Sequence, residues 1–192
     1  MGFRLSKIYT KTGDKKITKT ATNQEVFKDH PKITLNGELD ELNSYIGVIR
    51  SFLDQNQKKI DDILLDVQHQ LFDFGGEITF PQYQKINEHS VLFLEKHIDE
   101  INENLPPLKE FILPGGTKSA SFCHLARTVC RRVERYLVTL SRTEKLSECL
   151  FSYINRLSDL LFVIARFLNL SDKNNIQEIY WKSERLNKAS CD

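Results

Sequence analysis

The sequence predicts an all-α protein: a five-helix antiparallel bundle preceded by an irregular N-terminal segment. Three observations predict it. Apolar residues recur at three-four spacing in five separate stretches. Pro-rich and polar breaks, all short, separate those stretches. The chain has 192 residues, 40% of them hydrophobic, which is enough to bury one sizeable core. The expected organisation is a single domain over 1–192, with an N-terminal segment over 1–31, the bundle over 32–170 and a tail over 171–192.

Each element has its own justification. The N-terminal stretch from Ile8 to Asp29 is crowded with Thr and Lys and carries no helical stripe. The first helix follows from Leu35, Leu39, Leu42, Ile46, Ile49 and Leu53, and the second from Ile60, Leu64, Val67, Leu71, Phe74 and Ile78. A shorter third is carried by Val91, Leu94, Ile98, Ile101 and Leu105. Ala120, Cys123, Cys130, Val133, Leu137 and Leu140 mark the fourth. The fifth carries Cys149, Ser152, Leu157, Leu161, Ile164 and Leu168, with Ile154 beside it. Breaks fall at Asp54–Gln57, Pro81–Asn87, Pro106–Pro107 and Ser141–Ser147. Proline there lacks an N–H and fixes φ, and the polar side chains compete for backbone hydrogen bonds.

Composition excludes several function classes. With 27 Lys and Arg against 26 Asp and Glu, the net charge is +1, so no general basic excess points to nucleic acid or an anionic membrane. No run approaches the roughly 20 apolar residues of a membrane span, and Met1 to Asp14 holds no apolar signal core. The four cysteines, Cys123, Cys130, Cys149 and Cys191, form no Cys-x-x-Cys pair and read as small buried hydrophobes of a reducing, cytoplasmic compartment. None of His30, His69, His89, His97 and His124 belongs to a His-Glu-x-x-His or Glu-x-x-His motif, so no metal ligand is assigned and a di-iron bundle is excluded.

Three places carry unusual chemistry. Thr10, Lys11, Thr12, Gly13, Thr18 and Lys19 supply ammonium groups, hydroxyls and a flexible backbone position. That inventory suits a polyphosphate, although it also suits a solvated terminus, and it is not a Walker A loop. Phe111 sits in an apolar loop, Phe111 to Ser119, that opens into the fourth helix; its ring either plugs the bundle end or faces a flat apolar ligand. On the fourth helix Arg127, Arg131 and Glu134 share a face, flanked by Arg132 and Arg135. Asn155, Asp159 and Arg166 share a stripe on the fifth, and Asp40 and Asn43 lie on the first. Charges in such apolar surroundings must be paired if buried, which makes Asp40 and Arg127 candidate partners within one chain or across an interface.

These residues fall into ordered blocks that resemble the PduO-type ATP:cob(I)alamin adenosyltransferases, also called corrinoid adenosyltransferases. The blocks are Ile8 to Lys15, Gly37 to Gly47, Phe111 to Gly116, Ala126 to Arg135 and Tyr153 to Phe162. The resemblance implies a ferritin-like up-down bundle assembled as a homotrimer, with active sites between neighbouring subunits. It implies transfer of the 5′-deoxyadenosyl group of ATP to the cobalt of cob(I)alamin, yielding adenosylcobalamin and triphosphate, with Mg²⁺, or K⁺ as well, assisting. By position, Thr10, Lys11, Thr12, Gly13, Thr18, Lys19 and Lys28 hold ATP from the N-terminal segment, and Arg131, Glu134, Arg135 and Asn155 contact it from the helices. Asp40 and Arg127 resemble the intersubunit ion pair that shapes the site, and Phe111 the ring that presses on the lower face of the corrin. A cobalamin reductase and an adenosylcobalamin-dependent acceptor enzyme are the implied protein partners. The alternative is a non-catalytic trimeric protein that holds ATP or adenosylcobalamin for delivery or sensing. One departure stands out: the family usually has Gly where this chain has Lys16, and a positive φ there costs a side chain about 1 kcal/mol.

Overall fold

A computed structural model of the chain describes residues 9, 11–20, 23–173 and 176–182. Among them, five α-helices follow the five predicted stripes: α1 Pro31–Ser51, α2 Lys58–Thr79, α3 Glu88–Asn102, α4 Lys118–Ser141 and α5 Glu148–Leu170. Local chemistry starts each helix. Pro31 occupies the first turn of α1, where its missing N–H costs nothing. Asn87 caps α3 through the N–H groups of His89 and Ser90, Thr117 caps α4 through Ala120, and Ser147 caps α5 through Cys149. The break before α2 is a single 3₁₀ turn, Gln55–Gln57, closed by a reciprocal cap between Asp54 and Gln57.

Cross-links between helices give their directions. Asn36 donates to Thr79 (3.1 Å) and Arg50 Nε to Asp61 (2.6 Å), so α1 and α2 run antiparallel. Lys32 pairs with Glu144 (2.6 Å) and Arg132 with Glu38 (2.5 Å) and Glu41, so α1 and α4 do too. Between α4 and α5, Thr117 bonds Asn169 and Glu134 bonds Asn155, again antiparallel. Consecutive helices therefore alternate up and down, which makes α3 and α5 parallel neighbours, joined at Glu95–Arg156 (3.6 Å) and Pro106–Arg166. Leu42, Ile46, Leu64, Phe74, Leu94, Leu137, Tyr153 and Leu157 form the fully buried centre. Cys123 and Cys130 lie inside it, where burial pushes both thiols up, and Cys130 Sγ–H donates to the Ile154 carbonyl (3.2 Å). They behave as small apolar residues, as expected; Cys191 lies outside the described residues.

The N-terminal segment is more regular than expected. A 3₁₀ turn, Thr12–Lys15, leads into a two-stranded antiparallel hairpin of β1 Ile17–Lys19 and β2 Glu25–Phe27, with Thr18 opposite Val26. The strands are three residues each, so their alternation is too short to stand out in a Thr- and Lys-rich run. The Thr20 hydroxyl accepts from the Gln24 N–H and closes the connecting turn. Further on, buried Glu77 accepts from the Lys85 and Ile86 N–H groups (3.1 Å each) and pins the α2–α3 loop to the bundle.

Leu157→Ala, at the centre of α5, is expected to cost about 2–5 kcal/mol in chemical denaturation, because the lost side chain leaves a cavity between α4 and α5.

Candidate functional site

The predicted residues gather in three places. The first is a cavity of about 740 Å³ against the N-terminal hairpin, lined by Lys11, Gly13, Lys15, Ile17, Thr18, Lys19, Glu25 and Lys28. Its size falls within the range of small-molecule sites, about 300–1,000 Å³. Four ammonium groups face one carboxylate, so the cavity is strongly cationic although the chain is nearly neutral. Gly13 lets Lys28 approach closely: a Cβ there would meet Lys28 Nζ at 2.9 Å and push that flexible side chain aside. Five of the seven residues expected from this segment, Lys11, Gly13, Thr18, Lys19 and Lys28, line the cavity. Thr10 and the side chain of Thr12 lie outside the described residues. Lys15 and Glu25 are additions that sequence reasoning missed, although Lys15 lies inside the block that pointed here. Lys16 stands in the left-handed region (φ 66°), as the departure from the usual Gly implied, and Lys11 does the same (φ 61°).

The second place is the face between α4 and α5. Asn155 Nδ2–H donates to Glu134 (3.2 Å), joining two of the expected residues. Arg135 bonds the Arg131 carbonyl (3.0 Å) and leaves the Arg131 guanidinium exposed. Arg132, expected only as a flanking charge, turns away to α1 and forks onto Glu38 and Glu41. Asp159 pairs with Arg156 (3.1 Å), and Arg166 lies about 16 Å farther along the helix than Asn155. Arg156 also donates to Asn155 Oδ1 (3.1 Å), so Asn155 and Asp159 share a partner while Arg166 serves a separate place farther along the helix.

Arg127 is the exception among the arginines. It lies over the Phe162 ring (6.0 Å), its Nε is buried without a hydrogen-bond partner among the described residues, and burial followed by the charge of Arg131 pulls its pKa down. Asp40 does not meet it within the chain. Asp40 is exposed at a groove of about 320 Å³ between α1 and α2, near Asn36, Phe72 and Phe80, with no ion pair among the described residues. His124, one turn before Arg127, is 4% exposed, contacts Phe162 edge-on (6.1 Å) and leaves both ring nitrogens without a partner among the described residues. Burial, reinforced by Arg127 and opposed by Glu178, pushes its pKa down to about 4.

The third place is the loop before α4. Phe111 is 77% exposed, so its ring plugs nothing within the chain. The loop is anchored where it enters α4. Asn169, buried on α5, accepts from the Thr117 N–H (2.9 Å) and donates to the Gly115 carbonyl (3.0 Å). Gly116 has φ 111°, and a Cβ there would fall 2.0 Å from Asn169 Oδ1, so both conformation and space require glycine. Sequence reasoning passed over Asn169; a lone amide in the run Val163–Leu170 was the available signal. Among the described residues no group of three or more His, Cys, Asp or Glu side chains is placed to hold a metal ion. No described helix is long and apolar enough to cross a membrane.

Residues 8–168 match the family described as cobalamin adenosyltransferase. A cobalamin adenosyltransferase of Cupriavidus metallidurans is 44% identical over 185 residues, spanning 96% of this chain and 99% of that one. A corrinoid adenosyltransferase of Bacillus subtilis is 44% identical over 169 residues, spanning 85% and 86%. Among solved structures, a variant of the PduO-type ATP:corrinoid adenosyltransferase from Lactobacillus reuteri, complexed with cobalamin and ATP, superposes with a TM-score of 0.84 at 36% identity, covering 92% of this chain and 97% of that one.

His124 titrates lower in the folded than in the unfolded chain, so the unfolded state binds more protons between pH 6.5 and about 4. Its contribution to stability is complete above pH 6.5 and is lost as pH falls through about 4, by on the order of 3 kcal/mol. Denaturant melts at pH 7 and pH 4.5 are expected to show a shallower acid loss in His124→Gln than in the parent protein; equal losses would refute the assignment.

Proposed function

The chain belongs to the cobalamin adenosyltransferase family, as an enzyme of the PduO type that adenosylates cobalamin with ATP, and from that premise we propose how its residues divide the work. The carrying observation is the cationic cavity, where four lysines surround a glycine backbone and a threonine hydroxyl. Lys11, Lys19 and Lys28 hold the triphosphate there, with Gly13 and Thr18, and with Thr10 and Thr12 assigned by their place in the same block. Arg131, Glu134, Arg135 and Asn155 take the rest of the nucleotide. Within one chain no hydrogen bond or ion pair among the described residues joins these two groups, which supports a site completed by a neighbouring protomer. We read the assembly as a homotrimer. Arg127, whose Nε has no partner among the described residues, and Asp40, which has no ion pair among them, then pair across the interface, removing the cost of a partly buried lone charge.

The reaction forms a Co–C5′ bond with the electron pair of Co(I), while the C5′–O bond breaks and its pair leaves on the triphosphate. Cobalt is the nucleophile, so the protein supplies orientation and charge: it aims C5′ at the metal and stabilises the leaving oxygens with Arg131 and the cavity lysines. Phe111 presents its exposed ring to the lower face of the corrin and excludes a donating ligand and water. No cluster of His, Cys, Asp or Glu among the described residues would cage a metal, so a Mg²⁺ or K⁺ ion would enter with the triphosphate beside the cavity lysines and would supply further charge neutralisation. The proposed compartment is the cytoplasm, and the proposed protein partners are a cobalamin reductase and an acceptor enzyme that uses adenosylcobalamin.

Arg131→Ala is expected to lower kcat with ATP and cob(I)alamin by about a hundredfold or more, with unchanged helicity by circular dichroism. Full activity would remove Arg131 from the site. Phe111→Ala is expected to slow turnover from cob(II)alamin with a reductant far more than turnover from pre-reduced cob(I)alamin. Equal losses would count against the ring's role.

A further inference from the structure

Arg166 and Glu178 form the most deeply buried ion pair among the described residues, with side chains 3% and 6% exposed. Arg166 lies on α5, and Glu178 on the segment that follows the helix. Nε donates to Glu178 Oε1 (2.6 Å) and Nη2 to Oε2 (3.1 Å), a two-point fork. The same Nη2 donates to the Pro106 carbonyl (2.7 Å). One guanidinium thus grips both the chain entering the Phe111 loop and the segment lying beside that loop.

That segment is itself bonded to the loop as a short antiparallel bridge. Ile112 pairs with Tyr180, Leu113 N–H donates to the Ile179 carbonyl (2.8 Å), and Trp181 N–H donates to the Phe111 carbonyl (2.7 Å). The Phe111 side chain has little support of its own, being 77% exposed. Its backbone is held by a strand of a few residues, which would not stay paired in isolation. The buried fork supplies what the strand lacks.

We propose that Arg166 is a positioning residue for Phe111, acting through Glu178: the fork clasps residues 176–182 onto the Phe111 loop and so aims the ring. This rests on the reading of Phe111 given above. The aim of a reacting-site group matters steeply, because a displacement of about 1 Å can cost roughly a hundredfold in rate.

Trp181 is the sole tryptophan of the chain and sits on the clasped segment, so its fluorescence reports the clasp without reference to activity. Glu178→Ala is expected to raise iodide quenching of Trp181 by about twofold, as the strand opens. It is also expected to slow turnover from cob(II)alamin with a reduced flavin by about tenfold, while turnover from pre-reduced cob(I)alamin and the KM for ATP stay near parental values. Glu178→Gln, which keeps an acceptor for Arg166, is expected to recover most of both losses and serves as the test if the alanine variant does not fold. Unchanged quenching, or equal losses with both oxidation states of the substrate, overturns the proposal. Phe111→Ala is measured in parallel. If that variant spares cob(II)alamin turnover, the role of the ring falls, while the quenching of Trp181 still decides whether the clasp exists.

Discussion

The structure depends on which cations are neutralised within the chain and which are not. Arg50, Arg132, Arg156 and Arg166 each meet a carboxylate, and Lys32 meets Glu144. The Arg50–Asp61, Arg132–Glu38 and Arg156–Glu95 pairs tie helix to helix, and the pairs of Lys32 and Arg166 tie a helix to a neighbouring segment. Lys11, Lys15, Lys19 and Lys28 instead share one cavity with a single glutamate, and Arg127 lies against Phe162 with an Nε that no described residue accepts from. Like charges collected at one place repel, and a partly buried cation without an anion is costly. A nearly neutral chain thus concentrates uncompensated positive charge at two places.

The bundle underneath supplies the stability that such an arrangement draws on. Its centre is apolar from Leu35 to Leu168, and the buried polar groups are mostly structural: Glu77 holds a loop, Asn169 holds the Gly115–Gly116 turn, and Arg166 holds the segment after α5. Each of the three grips groups that lie outside any helix, where no ladder exists to satisfy them. These loops are therefore ordered from within the core. Phe111 shows the result: a large ring held out in solvent on a backbone that α5 controls from behind.

The helices were legible in the sequence because a period of 3.6 sustained over five stretches matches an α-helix and not a strand, and the Pro and polar breaks fell where the helices end. The cavity residues were legible by composition, and the strained Lys16 by its occupation of a usual glycine position. The hairpin was not, since three-residue strands leave too little alternation to detect. Nor was the Arg166–Glu178 pair, because nothing local connects a residue inside α5 with one in the tail. Arg166 shared a helical stripe with Asn155 and Asp159, yet distance along the axis sent it to a different partner while Arg156 joins the other two; angular position alone does not say which end of a helix a side chain serves.

Lys11, Lys16 and Asn23 all hold left-handed backbone within the small N-terminal element, at about 1–3 kcal/mol apiece. Such a hairpin is a sprung catch. That strain is stored in the folded chain before any anion arrives, so the contacts that hold the hairpin offset it and a ligand does not.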